Sequence, residues 1–202
     1  MIGLIDYGMG NIHSLMSAGE YLGIKIKICK NKSDLQLVDK IILPGVGAFG
    51  ACMDILKSLG FYEELNNQVI NNKKNILGIC LGMQIMATKS LEFGETKGLN
   101  WVSGTVEKMN VGDNFKLPHV GWNSLNHKKQ SPLFNNLRID SDYYFVHSYS
   151  FKNSNQNDVL ATFNYSSNYT ASINKENIYG VQFHPEKSQE NGLRILENFV
   201  NL

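Results

Sequence analysis

The stretch KNILGICLGMQIMA, residues 74–87, places a cysteine between two glycines where two kinds of pattern meet. The apolar run before Cys80 is typical of a buried strand, and the run from Leu81 to Ala87 favours a helix. Gly78-Ile79-Cys80-Leu81-Gly82 therefore has the Gly-x-nucleophile-x-Gly form of a sharp strand-to-helix turn. Because glycines relieve crowding at such a turn, we predict that Cys80 has strained backbone geometry and that its side chain projects above a sheet.

The predicted turn surrounds Cys80 with features that suit a nucleophile. A helix N-terminus carries partial positive charge, so a helix beginning at Leu81 would favour the thiolate form of Cys80. The Leu81 N–H would also be placed to receive an oxyanion. The alternative is a buried cysteine that packs as a small apolar side chain. Cys29 lies in an alternating strand pattern and Cys52 in a helical pattern, so both are predicted to be core residues.

Strand and helix patterns alternate through the first half of the chain. This βαβ rhythm predicts a parallel sheet with helices on both faces. Ser33 is predicted to cap a short helix. The predicted strands are MIGLID (1–6), IKIKIC (24–29, near a sheet edge), KIILPG (40–45) and NILGIC (75–80), and the predicted helices cover 12–23, 48–59 and 61–69.

The second half of the chain is rich in strand patterns joined by polar turns. A final helix is predicted from Gln189 to Phe199. Since no Pro- or Ser-rich linker divides the halves, we predict one α/β domain over residues 1–202 with an open mixed sheet flanked by helices. The predicted strands lie in WVSGTVEKM (101–109), FKLPHVGWNSL (115–125), DYYFVHSYSF (142–151), VLATFNY (159–165) and YTASINKENIYGVQF (169–183).

Composition excludes several classes of function. The chain has 202 residues, 43% of them hydrophobic, and 19 basic against 18 acidic side chains, so nothing favours binding to nucleic acid or a membrane surface. No signal peptide and no apolar run of about 18 residues is found. Three widely spaced cysteines match neither a disulfide framework nor a metal site. We therefore expect a cytoplasmic protein with reduced thiols and with no metal or cofactor.

A thiolate nucleophile needs a base, and His184 in YGVQFHPEKS is the best placed of the five histidines. It follows an apolar strand and precedes the last helix. Residues two apart in an extended chain face the same way, so Glu186 would orient the His184 imidazole. Active sites of open α/β sheets gather at the carboxyl ends of strands, where Cys80 is also predicted. The alternative is a surface His-Pro turn with a solvated glutamate.

KIILPGVGAFG, residues 40–50, contains Gly45-x-Gly47-x-x-Gly50 after a strand, which formally matches a dinucleotide-binding fingerprint. Pro44 lies inside the turn, and this is not the first strand of the chain. We therefore favour a glycine loop whose amides complete an oxyanion hole with Leu81. A plain glycine turn is the remaining alternative.

Several segments together resemble the class I, or triad-type, glutamine amidotransferases, which have a flavodoxin-like open sheet. GICLGMQ (78–84) is similar to their cysteine elbow and GVQFHPE (180–186) to their His-Pro-Glu strand. Within that family, further segments are similar to those of the glutaminase subunits of imidazole glycerol phosphate synthases. These are IDYGMGNIHS (5–14), LPGVGAFG (43–50), PHVGWN (118–123), YFVHSY (144–149) and GVQFHPEKSQ (180–189).

The resemblance implies roles for individual residues. Cys80, His184 and Glu186 would form the catalytic triad, and amides of Val46, Gly47 and Leu81 would form the oxyanion hole. The implied glutamine-binding residues are Gly47, Gln84, Glu92, Ser148 and Tyr149, and the implied partner-interface residues are Asn11, Trp122, Tyr144 and Lys187. Gln84 follows Cys80 by one helical turn, so it can face the same pocket. Glu92 can also be a solvated helix-end residue, Trp122 a core residue and Lys187 an ordinary surface lysine.

The resemblance also implies a reaction and a partner. L-glutamine would be hydrolysed to glutamate and ammonia through a cysteine thioester. The ammonia would pass to a (β/α)₈-barrel cyclase subunit in a heterodimer, which makes imidazole glycerol phosphate and the purine precursor AICAR in histidine biosynthesis. We predict that the isolated chain is a poor glutaminase that the liganded partner activates, because the PGVGAFG loop can switch between two amide orientations.

Three other functions remain open from the sequence. A paralogous glutaminase could supply ammonia to a sugar amidotransferase in surface-polysaccharide synthesis, with the same chemistry and a different partner. A stand-alone cysteine hydrolase would lack a partner, which the GWN and HPEKS segments argue against. A binding subunit without activity is disfavoured by the intact set of Cys80, His184 and Glu186.

Overall fold

The computed structural model describes residues 1–138 and 141–202. The strands are β1 Ile2–Ile5, β2 Ile26–Cys29, β3 Lys40–Leu43, β4 Asn75–Ile79, β5 Ala87–Ser90, β6 Thr96–Lys97, β7 Val102–Lys108, β8 His119–Ser124, β9 Asn126–His127, β10 Asp142–His147, β11 Tyr149–Asn153, β12 Val159–Tyr165, β13 Ser167–Lys175 and β14 Ile178–Val181. The α-helices are α1 Ile12–Tyr21, α2 Phe49–Ser58, α3 Phe61–Asn66, α4 Leu81–Gln84 and α5 Gln189–Asn201. Four 3₁₀-helices cover Lys32–Leu37, Pro132–Phe134, Gln156–Asp158 and Pro185–Lys187, and a π-helical turn covers Asn67–Asn71.

A mixed sheet organises the described part of the chain, with strand order β2-β1-β3-β4-β14-β13-β12-β9. The strands from β2 to β14 are parallel, and the remaining pairs are antiparallel. This arrangement confirms the predicted α/β class and the placement of β2 at a sheet edge. β4 and β14 are neighbours in parallel register, with Ile79 opposite Val181, so their carboxyl ends open at the same place.

Two smaller sheets complete the architecture. One has the order β11-β7-β5-β6, and the other pairs β8 with β10. The predicted strand DYYFVHSYSF is therefore two strands, because β10 pairs with β8 while β11 pairs with β7. Ser148 lies at the break between them.

Apolar side chains cover both faces of the main sheet. One cluster joins the sheet to α2, α3 and the four-stranded sheet, and includes Phe49, Phe61 and Trp101. The other packs against α1, α5 and β10, and includes Phe145 and Phe199. Burial on both faces explains why the central parallel strands have continuous apolar sequences rather than alternating ones.

The predicted helix from Leu81 to Ala87 is too long. It ends at Gln84, and the carbonyls of Ile85, Met86 and Ala87 accept hydrogen bonds from residues 99–102 instead of from a further helical turn. These partners draw the chain into β5. Since every residue from 81 to 87 is buried, the apolar pattern could not distinguish a helix from a buried strand.

Two other local predictions need correction. Asn31, not Ser33, caps the Lys32–Leu37 3₁₀-helix, because its side chain accepts from the Asp34 N–H while the Asp34 carboxylate accepts from the Asn31 N–H. The helix predicted over 61–69 is α-helical only to Asn66 and continues as the π-helical turn.

Candidate active site

Cys80 lies between β4 and α4 with φ 54° and ψ −109°. Non-glycine residues rarely adopt a positive φ, so the surrounding structure must hold this conformation. The Cys80 N–H donates to Val181 O at 2.8 Å, which ties the turn to the neighbouring strand. Cys80 is 6% exposed. The predicted strained turn is therefore present, and its cysteine is more enclosed than a side chain projecting freely above the sheet.

The glycines on either side of Cys80 allow close approach of the backbone. A Cβ added at Gly82 would lie 1.9 Å from Leu43 O, at the end of β3. A Cβ added at Gly78 would lie 2.6 Å from Gly82 O. α4 therefore begins directly against the end of β3, where no side chain fits.

His184 and Glu186 follow β14, so the parallel pairing of β14 with β4 brings them to the Cys80 end of the sheet. His184 Nδ1 lies 2.9 Å from Glu186 Oε1, and these side chains are 3% and 1% exposed. Asn11 Nδ2 donates to the same oxygen at 3.1 Å. The pair was predicted from an extended chain, but Glu186 lies in the Pro185–Lys187 3₁₀-helix. The two side chains meet through that turn.

Charge and burial act in opposite directions on the imidazole of His184. Burial lowers its pKa, because desolvation disfavours the imidazolium. Interaction with Cys80 and Glu186 outweighs burial and raises the pKa of His184 from 6.5 to about 10. His184 Nε2 has no hydrogen-bond partner among the described residues. The site therefore favours an imidazolium at His184, between the Glu186 carboxylate and the Cys80 sulfur.

The other two cysteines have different surroundings. Cys29 and Cys52 are fully buried, which confirms the prediction that both belong to the core. Burial raises the pKa of the Cys29 thiol to about 11 and that of Cys52 to about 12. Both therefore remain protonated thiols near neutral pH.

A cavity of about 460 Å³ opens at this end of the sheet and brings together most of the predicted site residues. Glu186 lies behind His184 and does not line it. The lining residues are Val46, Gly47, Cys80, Leu81, Gln84, Glu92, Phe93, Pro118, Val146, His147, Ser148, Tyr149 and His184. The glycine loop thus borders the cysteine, which favours its interpretation as part of this site over the dinucleotide alternative.

The loop amides predicted to bind an oxyanion are engaged by other groups. The Val46 N–H donates to Met9 O at 3.2 Å, and the Leu81 N–H donates to Gly45 O at 3.3 Å. Gly47 has φ 109°, a conformation that favours glycine. In this conformation neither Val46 nor Leu81 offers a free N–H to the cavity.

Two predicted substrate residues are already fixed by protein contacts. Gln84 is 5% exposed, and its Nε2 donates to Tyr149 O and to Gln182 Oε1, both at 2.9 Å. Glu92 follows β5 and accepts from the Phe49 N–H, the first residue of α2, at 2.7 Å. The alternative of a solvated helix-end glutamate is therefore wrong for Glu92.

Three of the four predicted interface residues, Trp122, Tyr144 and Lys187, form one cluster, while Asn11 contacts Glu186. The rings of Trp122 and Tyr144 are 5.9 Å apart, and Lys187 Nζ lies 5.7 Å from the Tyr144 ring centroid. Trp122 is 46% exposed, so it is not the core residue considered as the alternative. The His184 N–H donates to Tyr144 O at 2.9 Å, so the cluster contacts His184 through the backbone.

The sequence predictions assigned no role to Gln182 or His147. Gln182 is fully buried, and its Nε2 donates to Cys80 Sγ at 3.6 Å. His147 Nδ1 lies 2.8 Å from Tyr149 O, and burial lowers the pKa of His147 to about 3, so it stays neutral. The available signal was a polar side chain within an apolar run, as in GVQF and YFVH.

Residues 1–138 and 141–202 contain neither a metal-binding cluster nor a membrane-spanning helix. No group of three or more His, Cys, Asp or Glu side chains is arranged to hold a metal ion. No helix in these ranges is long and apolar enough to span a membrane.

The similarity of this chain to known proteins agrees with the geometry of the cavity. Residues 3–202 match the family model described as glutamine amidotransferase class-I. Imidazole glycerol phosphate synthase subunit HisH 1 of Campylobacter jejuni strain 81-176 is 48% identical over 202 residues, covering 100% of both chains. Subunit HisH of Pelagibacter ubique is 44% identical over 204 residues, covering 98% of each.

Solved structures share the fold at low sequence identity. A crystal structure of a glutamine amidotransferase superposes with TM-score 0.77 at 18% identity, covering 99% of this chain and 97% of that one. The structure of PurLQS from Thermotoga maritima gives TM-score 0.74 at 19% identity with the same coverage.

Proposed function

The chain belongs to the glutamine amidotransferase class-I family, and we propose that it is the glutaminase subunit of an imidazole glycerol phosphate synthase, with Cys80, His184 and Glu186 as its catalytic triad. One observation carries the proposal. Two adjacent parallel strands end in a strained cysteine and in a histidine hydrogen-bonded to a buried carboxylate, beside a common cavity.

The triad supports a two-step hydrolysis. The Cys80 thiolate attacks the side-chain amide carbon of L-glutamine, and the His184 imidazolium gives its proton to the departing nitrogen, so ammonia leaves and a γ-glutamyl thioester remains. The neutral imidazole then takes a proton from water as the water attacks the thioester. Glutamate leaves, and the thiolate–imidazolium pair is restored. Glu186 holds the ring and stabilises its charge.

The engaged loop amides favour low activity in the isolated chain. An oxyanion needs N–H donors about 2.7–3.1 Å away, and loss of one such donor costs about 10²–10³ in kcat. The N–H groups of Val46 and Leu81 must leave the carbonyls of Met9 and Gly45 before they can serve. We propose that reorientation of the loop at Gly45 and Gly47 is the step that a partner promotes.

The partner that fits this proposal is a (β/α)₈-barrel cyclase subunit docked on Trp122, Tyr144, Lys187 and Asn11. Trp122 is an exposed aromatic anchor in a cluster that contacts His184 through Tyr144 O. Docking there would cover the triad side of the chain and let ammonia pass to the partner without protonation in solvent. The heterodimer would act in histidine biosynthesis in the cytoplasm.

The testing experiment measures glutamate formation by the chain alone, with the histidine-pathway cyclase of the same organism, and with that cyclase plus its nucleotide ligand. The expected result is weak turnover alone and strong activation by the liganded cyclase, with no turnover by Cys80→Ala. Equal turnover in all three mixtures would refute the activation. Activation only by a sugar amidotransferase would move the glutaminase to the polysaccharide alternative.

A matched pair of variants tests the docking surface. Trp122→Ala is expected to weaken association with the cyclase at least tenfold, as measured by calorimetry. Tyr21→Ala also removes an exposed aromatic, 80% exposed in α1, and lies outside the proposed surface. Equal association of both variants and the wild type would place the partner elsewhere.

A further inference from the structure

We infer that Gln182 is a positioning residue for the nucleophile, because its side-chain amide donates a hydrogen bond to Cys80 Sγ in an orientation imposed by Gln84. The two atoms, Gln182 Nε2 and Cys80 Sγ, are 3.6 Å apart. The inference rests on the proposed glutaminase function, since it assigns a further residue to that reaction.

Gln182 is held firmly at the end of β14. It follows Val181 directly, and its own N–H donates to Ala171 O at 2.8 Å. The side chain is completely buried, and a buried amide is destabilising unless its polar atoms are hydrogen-bonded. The partners of its side chain are Gln84 and Cys80, so the Gln182 amide belongs to the candidate active site.

A chain of hydrogen bonds fixes which end of the Gln182 amide faces the sulfur. The Tyr149 carbonyl can only accept, so the Gln84 atom 2.9 Å away must be the NH₂ nitrogen. That nitrogen also lies 2.9 Å from Gln182, whose atom there must then be the acceptor Oε1. The NH₂ group of Gln182 is left facing Cys80 Sγ. A backbone carbonyl therefore sets the orientation of two side-chain amides in turn.

An N–H donor at the sulfur favours the reactive form of Cys80. The thiolate carries the charge that the hydrogen bond stabilises, whereas a thiol gains less from the same contact. The bond also limits the directions in which the side chain can point. The Cys80 sulfur therefore lies close to both His184 and Gln182, and both of these residues follow the end of β14.

The hydrogen-bond chain also restricts how Gln84 contacts a substrate. Both hydrogens of its NH₂ group are already donated, to Tyr149 O and to Gln182 Oε1. Gln84 therefore has only its acceptor Oε1 left for a substrate, which suits an ammonium or amide N–H of glutamine. A substrate contact at Gln84 is consequently transmitted to the orientation of Cys80.

The test measures alkylation of Cys80 by iodoacetamide from pH 5 to 10 in the full chain, with the modified cysteine located by mass spectrometry. For Gln182→Met, which keeps the volume but cannot donate, we expect about three- to tenfold slower alkylation at pH 7 and a profile shifted to higher pH. The titratable groups that face the sulfur, His184 with Glu186 behind it and Tyr7, are unchanged in this variant.

The matched control is Gln68→Met. Gln68 is 4% exposed and hydrogen-bonded to Glu64 and Asn72, so it is also a buried amide in a side-chain network, but outside the site. Its alkylation profile is expected to match that of the wild type. A Gln182→Met profile that also matches the wild type would overturn the inference and leave Gln182 a packing residue.

If Gln182→Met does not fold, a second variant tests the role of Gln182. Gln84→Met leaves Gln182 in place and removes the group that orients it, so a smaller shift in the same direction is expected. An unchanged profile would then overturn the inference. Alkylation needs no glutamine, so it separates this inference from the glutaminase function, which wild-type turnover tests. In turnover assays we expect Gln182→Met to lower kcat about three- to tenfold with little change in KM.

Discussion

The ends of β4 and β14 lie side by side in the same sheet, yet they hold their candidate site residues by different means. Cys80 follows β4 and has φ 54°. The glycines on either side of it lack a side chain, which lets the neighbouring backbone pack closely against the turn. His184 after β14 has ordinary extended backbone, φ −97° and ψ 98°. Its position depends on hydrogen bonds to Glu186, Ser188 and Tyr144.

The two residues are therefore positioned by different interactions. Cys80 is positioned by steric fit, and any atom added to the flanking glycines must displace the neighbouring backbone. Hydrogen bonds around His184 can be removed one at a time, with graded effects on charge and orientation. Substitutions at the Cys80 turn should therefore cause larger losses than substitutions around His184.

Gly82→Ala should damage the cysteine side most. Its Cβ would meet Leu43 O at 1.9 Å, so the ends of β3 and α4 must separate. We expect unfolding in urea to show a loss of about 3 kcal/mol or more, together with loss of glutaminase activity. Gly112→Ala is the control, because its Cβ would only reach Ser166 Oγ at 3.7 Å, and its stability should change by less than about 1 kcal/mol. Equal losses in both variants would contradict the steric account.

Glu186→Gln should damage the histidine side in a graded way. The glutamine can still accept from His184 Nδ1, but the charge that raises the His184 pKa is lost. We expect kcat to fall about ten- to a hundredfold with the fold intact. NMR titration of the His184 ring should show a lower pKa than in the wild type. An unchanged His184 titration would show that Glu186 does not control the imidazole.

Stability should depend on pH through His184. Its pKa is raised from 6.5 to about 10 on folding, so the stabilisation is fully present below about pH 6.5 and is lost as the pH rises through about 10. Wild type should therefore lose more unfolding free energy between pH 7 and 10 than His184→Gln, by roughly 3 to 4 kcal/mol. Parallel curves for the two proteins would contradict a protonated His184.

Asn11→Ala should have the smallest effect. It removes one neutral donor, at 3.1 Å, from Glu186 Oε1 and leaves the His184 contact in place. A fall in basal kcat of about threefold is expected, since one such hydrogen bond contributes about 0.5–1.5 kcal/mol. Asn71→Ala removes a similar contact, to Asn67 on the π-helical turn, and should leave kcat unchanged. A hundredfold loss for Asn11→Ala would mean that Glu186 has no other support.

Sequence patterns predicted the central strands well because their burial on both faces leaves continuous apolar runs. The same property produced the error after Cys80. Residues 81–87 are all buried, so periodicity carried no information, and the contacts of Ile85, Met86 and Ala87 with residues 99–102 decided the outcome. Those contacts join positions 13 to 16 residues apart in the chain, which no local pattern can show.

In the candidate site too, some residues could be predicted from the sequence and others could not. Cys80, His184 and Glu186 could be proposed from sequence, because Gly-x-Cys-x-Gly and His-Pro-Glu each combine a reactive side chain with a local backbone constraint. Gln182 could not, since its partners Gln84 and Cys80 lie about a hundred residues away, and only folding brings them within hydrogen-bond distance. The engagement of Val46 by Met9 O was equally hidden.

The sequence by itself therefore determined the α/β class, the turn at Cys80 and the candidate reactive residues, because each depends on side-chain chemistry and short-range backbone restriction. Tertiary structure alone decided which strand ends are neighbours, how the sulfur and imidazole are hydrogen-bonded, and that the N–H groups of Val46 and Leu81 are engaged. These features depend on pairing between distant segments, and the free energy of such pairing comes from packing and hydrogen bonds that form only in the folded chain.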